Sequence, residues 1–233
     1  AIQEIRDNYK DFEKIVDYLG QDYKFIFTDR AGNNERLAFV YDSKKIRLKS
    51  LVGELVVLPR ERKSLTFTVK KEKIKEKFPG FNRNPYMASF KTGKFDFTLV
   101  NVHIYYGAAS GAKLRRRILE IYTLSSWAYK RVTKNITNVY DPDIILLGDM
   151  NVPTRKRKDR VFSRLIKFGM NPTLYASQVG SNLGGTKTYD QITFLPSQTQ
   201  RFTGESQVFD FDNALFQDLW KELDAAVAGR YVN

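Results

Sequence analysis

The chain has 233 residues, of which 42% are hydrophobic and 14% aromatic, a composition of folded domains and enough length for one large domain spanning 1–233. It contains no cysteine, which excludes disulfides, zinc–thiolate centres and thiol nucleophiles, and a single histidine, His103, which excludes multi-histidine metal sites. Lysine and arginine number 39 against 26 acids, and the resulting net charge of +13 favours a polyanionic partner, nucleic acid ahead of an anionic membrane.

The opening AIQEIRD lacks a Met and is already strand-like, so further residues are expected before Ala1. Next, 8-NYKDFEKIVDYLG-20 carries Phe12, Ile15, Val16 and Leu19 at helical spacing, closed by Gly20. Strand-like runs follow at 23–29, 35–42, 54–59 and 65–69, and the lysine-rich 70-KKEKIKEKFPG-80 reads as an exposed connection. Segments 86–90 and 95–104 read as a hairpin across Lys91-Thr92-Gly93-Lys94. The longest predicted helix is 112–135, with Leu114, Ile118, Ile121 and Leu124 on one face. A buried strand at 143–149, a basic loop, a helix around 159–169 and strands at 188–196 and near 207–211 complete the order. Strands meet strands in hairpins with few helices between, which predicts a mixed α/β (α+β) domain of largely antiparallel sheets with outer helices. No apolar run approaches the roughly 18 residues that span a bilayer. With no signal pattern and no cysteine, a cytoplasmic location is the expectation.

Chemistry is expected where polar residues stand at the ends of apolar strands. Glu4, Glu35, His103, Asp149, Asn151 and Asp190 stand there. Hard oxygen donors without cysteine suit Mg²⁺, with Mn²⁺ as the alternative. Taken singly, each is more often a capped turn or a surface carboxylate.

In order along the chain, QE at 3–4, ERLAFVYD at 35–42, NVHIYYG at 101–107, LLGDMN at 146–151 and TYDQI at 188–192 resemble the motifs of the endonuclease/exonuclease/phosphatase superfamily, in its deoxyribonuclease I-like form. The resemblance implies a four-layer sandwich, two facing sheets flanked by helices, and metal-dependent cleavage of phosphate esters. It casts Glu4 as the metal carboxylate and Asp149 as the residue that orients or deprotonates the attacking water. Asn151 becomes a phosphate ligand, and Glu35 with His103 a carboxylate–imidazole pair. Asp190 would orient a closing histidine, and Arg83 would lie near the substrate phosphates. Two family elements are missing, an asparagine-bearing first strand and a closing Ser-Asp-His. Both are expected beyond the ends of this sequence; without them, activity is expected to be very low.

Basic clusters flank the motifs. Arg155, Lys156, Arg157, Lys158 and Arg160 follow GDMN, and Lys113, Arg115, Arg116 and Arg117 open the long helix. Both are candidate phosphate-tracking rims, and Tyr105-Tyr106-Gly107 a candidate stacking turn. The leading expectation is a nuclease acting on DNA ahead of RNA. The alternatives are a phosphoesterase for inositol phosphates or phospholipid head groups, and an inactive nucleic-acid-binding domain.

Overall fold

The computed structural model describes residues 1–6, 9–133, 141–175, 179–182, 184–195 and 203–210. Its elements are β1 (Ile2–Ile5), α1 (Tyr9–Leu19), β2 (Tyr23–Phe27), β3 (Arg36–Asp42), β4 (Arg47–Glu54), β5 (Ser64–Val69), β6 (Glu72–Lys77), β7 (Tyr86–Thr92) and β8 (Phe95–His103). They continue with α2 (Gly111–Thr133), β9 (Ile144–Asp149), α3 (Phe162–Leu165), β10 (Asn171–Pro172), β11 (Leu174–Tyr175), β12 (Asp190–Phe194) and β13 (Glu205–Ser206).

Alternation along the strands explains the layers. In β3, Leu37 and Phe39 pack with Tyr86, Ala88 and Phe90 of β7, whereas Ala38 turns the other way to Phe12 and Val16 of α1. The small sheet, ordered β1-β3-β2, therefore lies between α1 and a six-stranded sheet ordered β10-β12-β9-β8-β7-β4. In that larger sheet only β8 and β9 run parallel. Its far face presents Met87, Val100, Val102, Ile144 and Leu146 to α2 and α3. The order is helix, sheet, sheet, helices: the four-layer sandwich with two largely antiparallel sheets.

Helix α2 buries the face its spacing indicates, Leu114, Ile118, Ile121 and Leu124, all 8% exposed or less. At about 1.5–3 kcal/mol per buried aliphatic side chain, this stripe contributes roughly 6–12 kcal/mol before chain entropy is subtracted. The β7–β8 hairpin forms as its pattern predicts, with Gly93 (φ 53) supplying the turn. Three segments differ from the sequence reading. The strand at 54–59 lies earlier, as β4, which is an edge strand whose register shifts between Leu48 and Val52. The lysine-rich connection is a strand, β6, paired with β5 from Ser64↔Lys77 to Val69↔Glu72. Residues 207–210 form no strand; the short pairing there is β13 with β11, and Phe211 lies outside the described residues.

Candidate active site

The parallel pairing of β8 and β9 sets His103 beside Asp149, and the antiparallel pairing of β9 with β12 sets Asp190 on the other side of Asp149. Three strand ends of one sheet thus deliver an imidazole and two carboxylates side by side. The small sheet supplies the rest. Between Ile2 and Ile5, β1 is bulged, and Glu4 sits within the bulge at φ 63. A bulge re-aims a side chain, and a non-glycine residue at positive φ is strained backbone. Glu4 consequently projects towards the large sheet, its carboxylate 3.7 Å from His103 Nε2.

Asp149 accepts a 2.7 Å hydrogen bond from the Asn151 amide, and its other oxygen lies 3.5 Å from His103 Nε2. On the opposite side of the ring, His103 Nδ1 lies 3.1 Å from a Glu35 oxygen, a close contact that lacks the alignment of a hydrogen bond. Arg83 lies beneath, 4% exposed, with Nη1 3.0 Å from Glu35 and Nε donating to the His103 carbonyl at 3.0 Å. The arginine expected near substrate phosphates is therefore buried behind the carboxylate–imidazole pair. Burial, together with the Arg83 guanidinium, pushes His103 down to about 4, so its ring is neutral at pH 7. Burial and then repulsion from Asp190 push Asp149 up to about 7. Burial likewise raises Asp190.

Asn151 is 4% exposed at φ 50, a left-handed conformation that asparagine tolerates. Its side-chain amide donates to the Ile104 carbonyl at 2.7 Å. Gly148, at φ 124, has no room for a side chain, since a Cβ there would lie 2.2 Å from the Val102 carbonyl oxygen.

Glu4, His103 and Asp149 offer one ligand atom each within 4.8 Å of one another. Three carboxylates gather here, Glu4, Asp149 and Asp190; burial first and their mutual repulsion second raise Asp149, and a divalent cation would relieve the repulsion. The oxygen-rich donor set fits a hard cation, which Glu4 and Asp149 could hold.

The basic clusters divide. Arg155 turns its guanidinium to the Thr173 carbonyl, whereas Lys156, Arg157, Lys158 and Arg160 are exposed. The cluster opening α2 is a rim in only one residue, Lys113. Arg115 pairs with Glu76, and Arg116 pairs with Glu120 over the Tyr105 ring. Arg117, 2% exposed, donates to the carbonyls of Asn151 and Ala108 at 3.0 and 2.5 Å and lies over the Tyr106 ring. Both tyrosines of the 105–107 turn thus lie under arginines.

Two supporting residues escaped the sequence reading. Glu120, fully buried, accepts from the backbone amides of Asn82 and Tyr105, each at 3.1 Å, and so ties the loop of Arg83 to the loop that follows His103. Asn101 joins the sheets, donating to the carbonyls of Ile2 and Ala38 and accepting from Gln3. The signal for both was a polar residue at a position whose period demanded an apolar one.

No family model matches the sequence, and no curated protein matches it. Among solved structures, a mannosyl-6-phosphatase from Bacteroides thetaiotaomicron VPI-5482 is similar over 84% of this chain and 70% of its own, with a TM-score of 0.53 at 16% identity. An endonuclease/exonuclease/phosphatase family protein from Bacteroides thetaiotaomicron is similar over 81% of this chain and 65% of its own, with a TM-score of 0.51 at 15% identity. The chain has the endonuclease/exonuclease/phosphatase fold. At these identities the likeness carries the fold alone, and the chain spans about two thirds of the length of these neighbours. Within the endonuclease/exonuclease/phosphatase fold, the cluster described above lies where the ends of β8, β9 and β12 meet the bulge of β1.

Proposed function

We propose that this protein is a divalent-metal-dependent phosphodiesterase that hydrolyses DNA. The observation that carries the reading is the convergence of Glu4 and Asp149 on the neutral imidazole of His103, with Asp190 paired beside Asp149 and the exposed Lys156, Arg157, Lys158 and Arg160 following in the chain. A Mg²⁺ or Mn²⁺ ion held by Glu4 and Asp149 would supply positive charge to the non-bridging phosphate oxygens. Asp149, beside such an ion, would orient the attacking water and accept its proton. Glu35, 3.1 Å from Nδ1, is placed to accept its proton after a small turn of the ring, which would fix the tautomer of His103 with Nε2 towards the phosphate. Asn151 offers its remaining N–H to a phosphate oxygen, while Arg117 holds the Asn151 carbonyl and hence the loop. Arg83 acts through Glu35 and His103. Lys156 and Arg157, with Arg155 behind them, would bind flanking phosphates, an interaction that weakens with salt.

The neighbour that is a mannosyl-6-phosphatase favours a second reading, hydrolysis of a small phosphomonoester. The deciding assay incubates supercoiled plasmid, labelled single-stranded oligonucleotides and a sugar phosphate with Mg²⁺, Mn²⁺ or chelator, using the complete gene product. Metal-dependent cutting of DNA, lost by about 10²–10⁴-fold in Asp149→Ala, is the expected result. Turnover of the sugar phosphate alone selects the second reading. Salt-sensitive binding without turnover of either substrate leaves a nucleic-acid-binding domain.

A further inference from the structure

The β5–β6 hairpin takes no part in the candidate site, yet its two faces are sharply unlike. One face is structural: Phe67 is buried in the main core, with Leu65 and Val69 packed against it, and Glu76 pairs with Arg115 of α2. The other face is open. Cross-strand pairing sets Ser64 opposite Lys77, Thr66 opposite Lys75 and Thr68 opposite Lys73, and all six residues are exposed. The result is a ladder of three hydroxyl–ammonium pairs, with successive lysines about 6.8 Å apart along the strand. No acidic residue interrupts it, because Glu72 and Glu76 belong to the opposite face. Among the described residues these lysines have no acidic partner.

The tip of the hairpin adds a second observation. Lys70 and Lys71 form its two-residue turn at φ 48 and 73. A turn with positive φ at both central residues strongly prefers Asn-Gly, and lysine there is strained. The β7–β8 hairpin does place glycine at its positive-φ turn position, Gly93. Lysines at edge strands also guard against edge-to-edge aggregation. That role explains neither the opposed hydroxyls nor two further lysines at positions where they cost stability. Charge at the tip is kept against the preference of the backbone.

We propose that the outer face of the β5–β6 hairpin, with its Lys70–Lys71 tip, is a docking strip for the phosphate backbone of duplex DNA. Lysines carry the charge, and the serine and threonine hydroxyls donate to phosphate oxygens. The face has no aromatic residue on which unpaired bases could stack, which favours a duplex over a single strand. The tip has no apolar residue to insert among acyl chains, which favours DNA over a membrane. Helix α2 links the strip to the candidate site, since Arg115 anchors the hairpin and Arg117 reaches the Asn151 loop. The proposal rests on the reading of the protein as a nuclease, for which the strip would be a secondary substrate-holding surface.

The test measures fluorescence anisotropy of a labelled DNA duplex across a salt series, with chelator present and in the Asp149→Ala background, where cleavage cannot interfere. Lys73→Gln/Lys75→Gln/Lys77→Gln should weaken binding about 10–100-fold near 0.1 M salt. It should also lower the slope of log affinity against log salt by about 2–3, from about 0.9 per phosphate contact. Lys70→Asn/Lys71→Gly should raise Tm by about 2–5 °C while weakening duplex binding several-fold, a combination that a purely structural turn cannot give. Unchanged duplex affinity in the triple variant overturns the proposal. So does lysine-dependent binding that is tighter to a single strand, or to phosphatidylserine vesicles, than to the duplex. Failure of the nuclease reading registers separately, as absence of metal-dependent cutting by the unmutated protein.

Discussion

At the scale of single residues, Asp149 carries a cost that a metal ion would remove. Without metal, its folded value of about 7 lies above the usual 3.9 or so of an aspartate, so the folded state holds the proton that the unfolded state releases. The stability this brings is full below pH 4 and is lost as pH rises through about 7. His103 runs the other way: its folded value of about 4 lies below the usual 6.5, so its contribution is full above pH 6.5 and is lost as pH falls through about 4. Between those limits the two nearly cancel, and near pH 7 Asp149 alone decides. Asp149→Asn keeps an acceptor for the Asn151 amide and removes the charge. In chelator it should match the parent's Tm near pH 4 and exceed it by several degrees at pH 8, with a ceiling of about 4 kcal/mol at 1.36 kcal/mol per pH unit. A constant gap across pH would show that Asp149 is not charged at a cost. Its neighbour allows no such freedom. Gly148→Ala places a Cβ against the Val102 carbonyl at positive φ, and should lower Tm by about 6 °C or more. In the sequence, Asp149 and Asn151 stood out because an apolar strand ended in them. The strain at Glu4 did not, because a bulge depends on what the partner strand does.

Among elements, legibility followed the strength of the period. Helix α2 was readable because four apolar residues repeat at helical spacing over three turns. Strand β6 was not, because Ile74 is its one apolar residue and its partner face is held by the Glu76–Arg115 pair. Strand β4 was misplaced because an edge irregularity breaks its alternation. The same helical spacing that exposed the core of α2 also put Arg117 and Glu120 on buried positions, where a charged residue needs partners. Glu120→Ala would leave the Asn82 and Tyr105 amides without their acceptor, at a cost of about 2–5 kcal/mol. Glu120→Gln retains one carbonyl acceptor and should lose about half as much. Thermal unfolding of the two variants checks the order; equal losses would show that the carboxylate's charge, not its bonds to both loops, is what matters.

For the molecule as a whole, the candidate site belongs to neither sheet. Glu4 comes from the small sheet and Glu35 from the residue just before its β3, and His103, Asp149, Asn151 and Asp190 come from the large sheet or the loop that leaves it. The order of these residues was legible as motifs along the chain, but their meeting was not, because it depends on how two sheets face each other. Asn101 holds that seam. It is fully buried, and its three bonds reach the Ile2 carbonyl and the Gln3 side chain, which lead into the strained Glu4 bulge, and the Ala38 carbonyl of the partner strand. Asn101→Leu keeps the volume and deletes the bonds, at a cost of about 2–4 kcal/mol and some 4–12 °C in Tm. The Ser89–Thr98 bond, 2.7 Å and buried in the same sheet, offers a control that makes no contact across the seam to β1. Thr98→Val should destabilise without altering Mn²⁺ affinity, whereas Asn101→Leu should lower that affinity as well, because Glu4 is no longer held against Asp149. Titration calorimetry well below both Tm values separates the two effects. If Asn101→Leu destabilises yet binds Mn²⁺ as the parent does, the seam supports the fold alone, and the bulge of β1 must hold Glu4 in place without help from the large sheet.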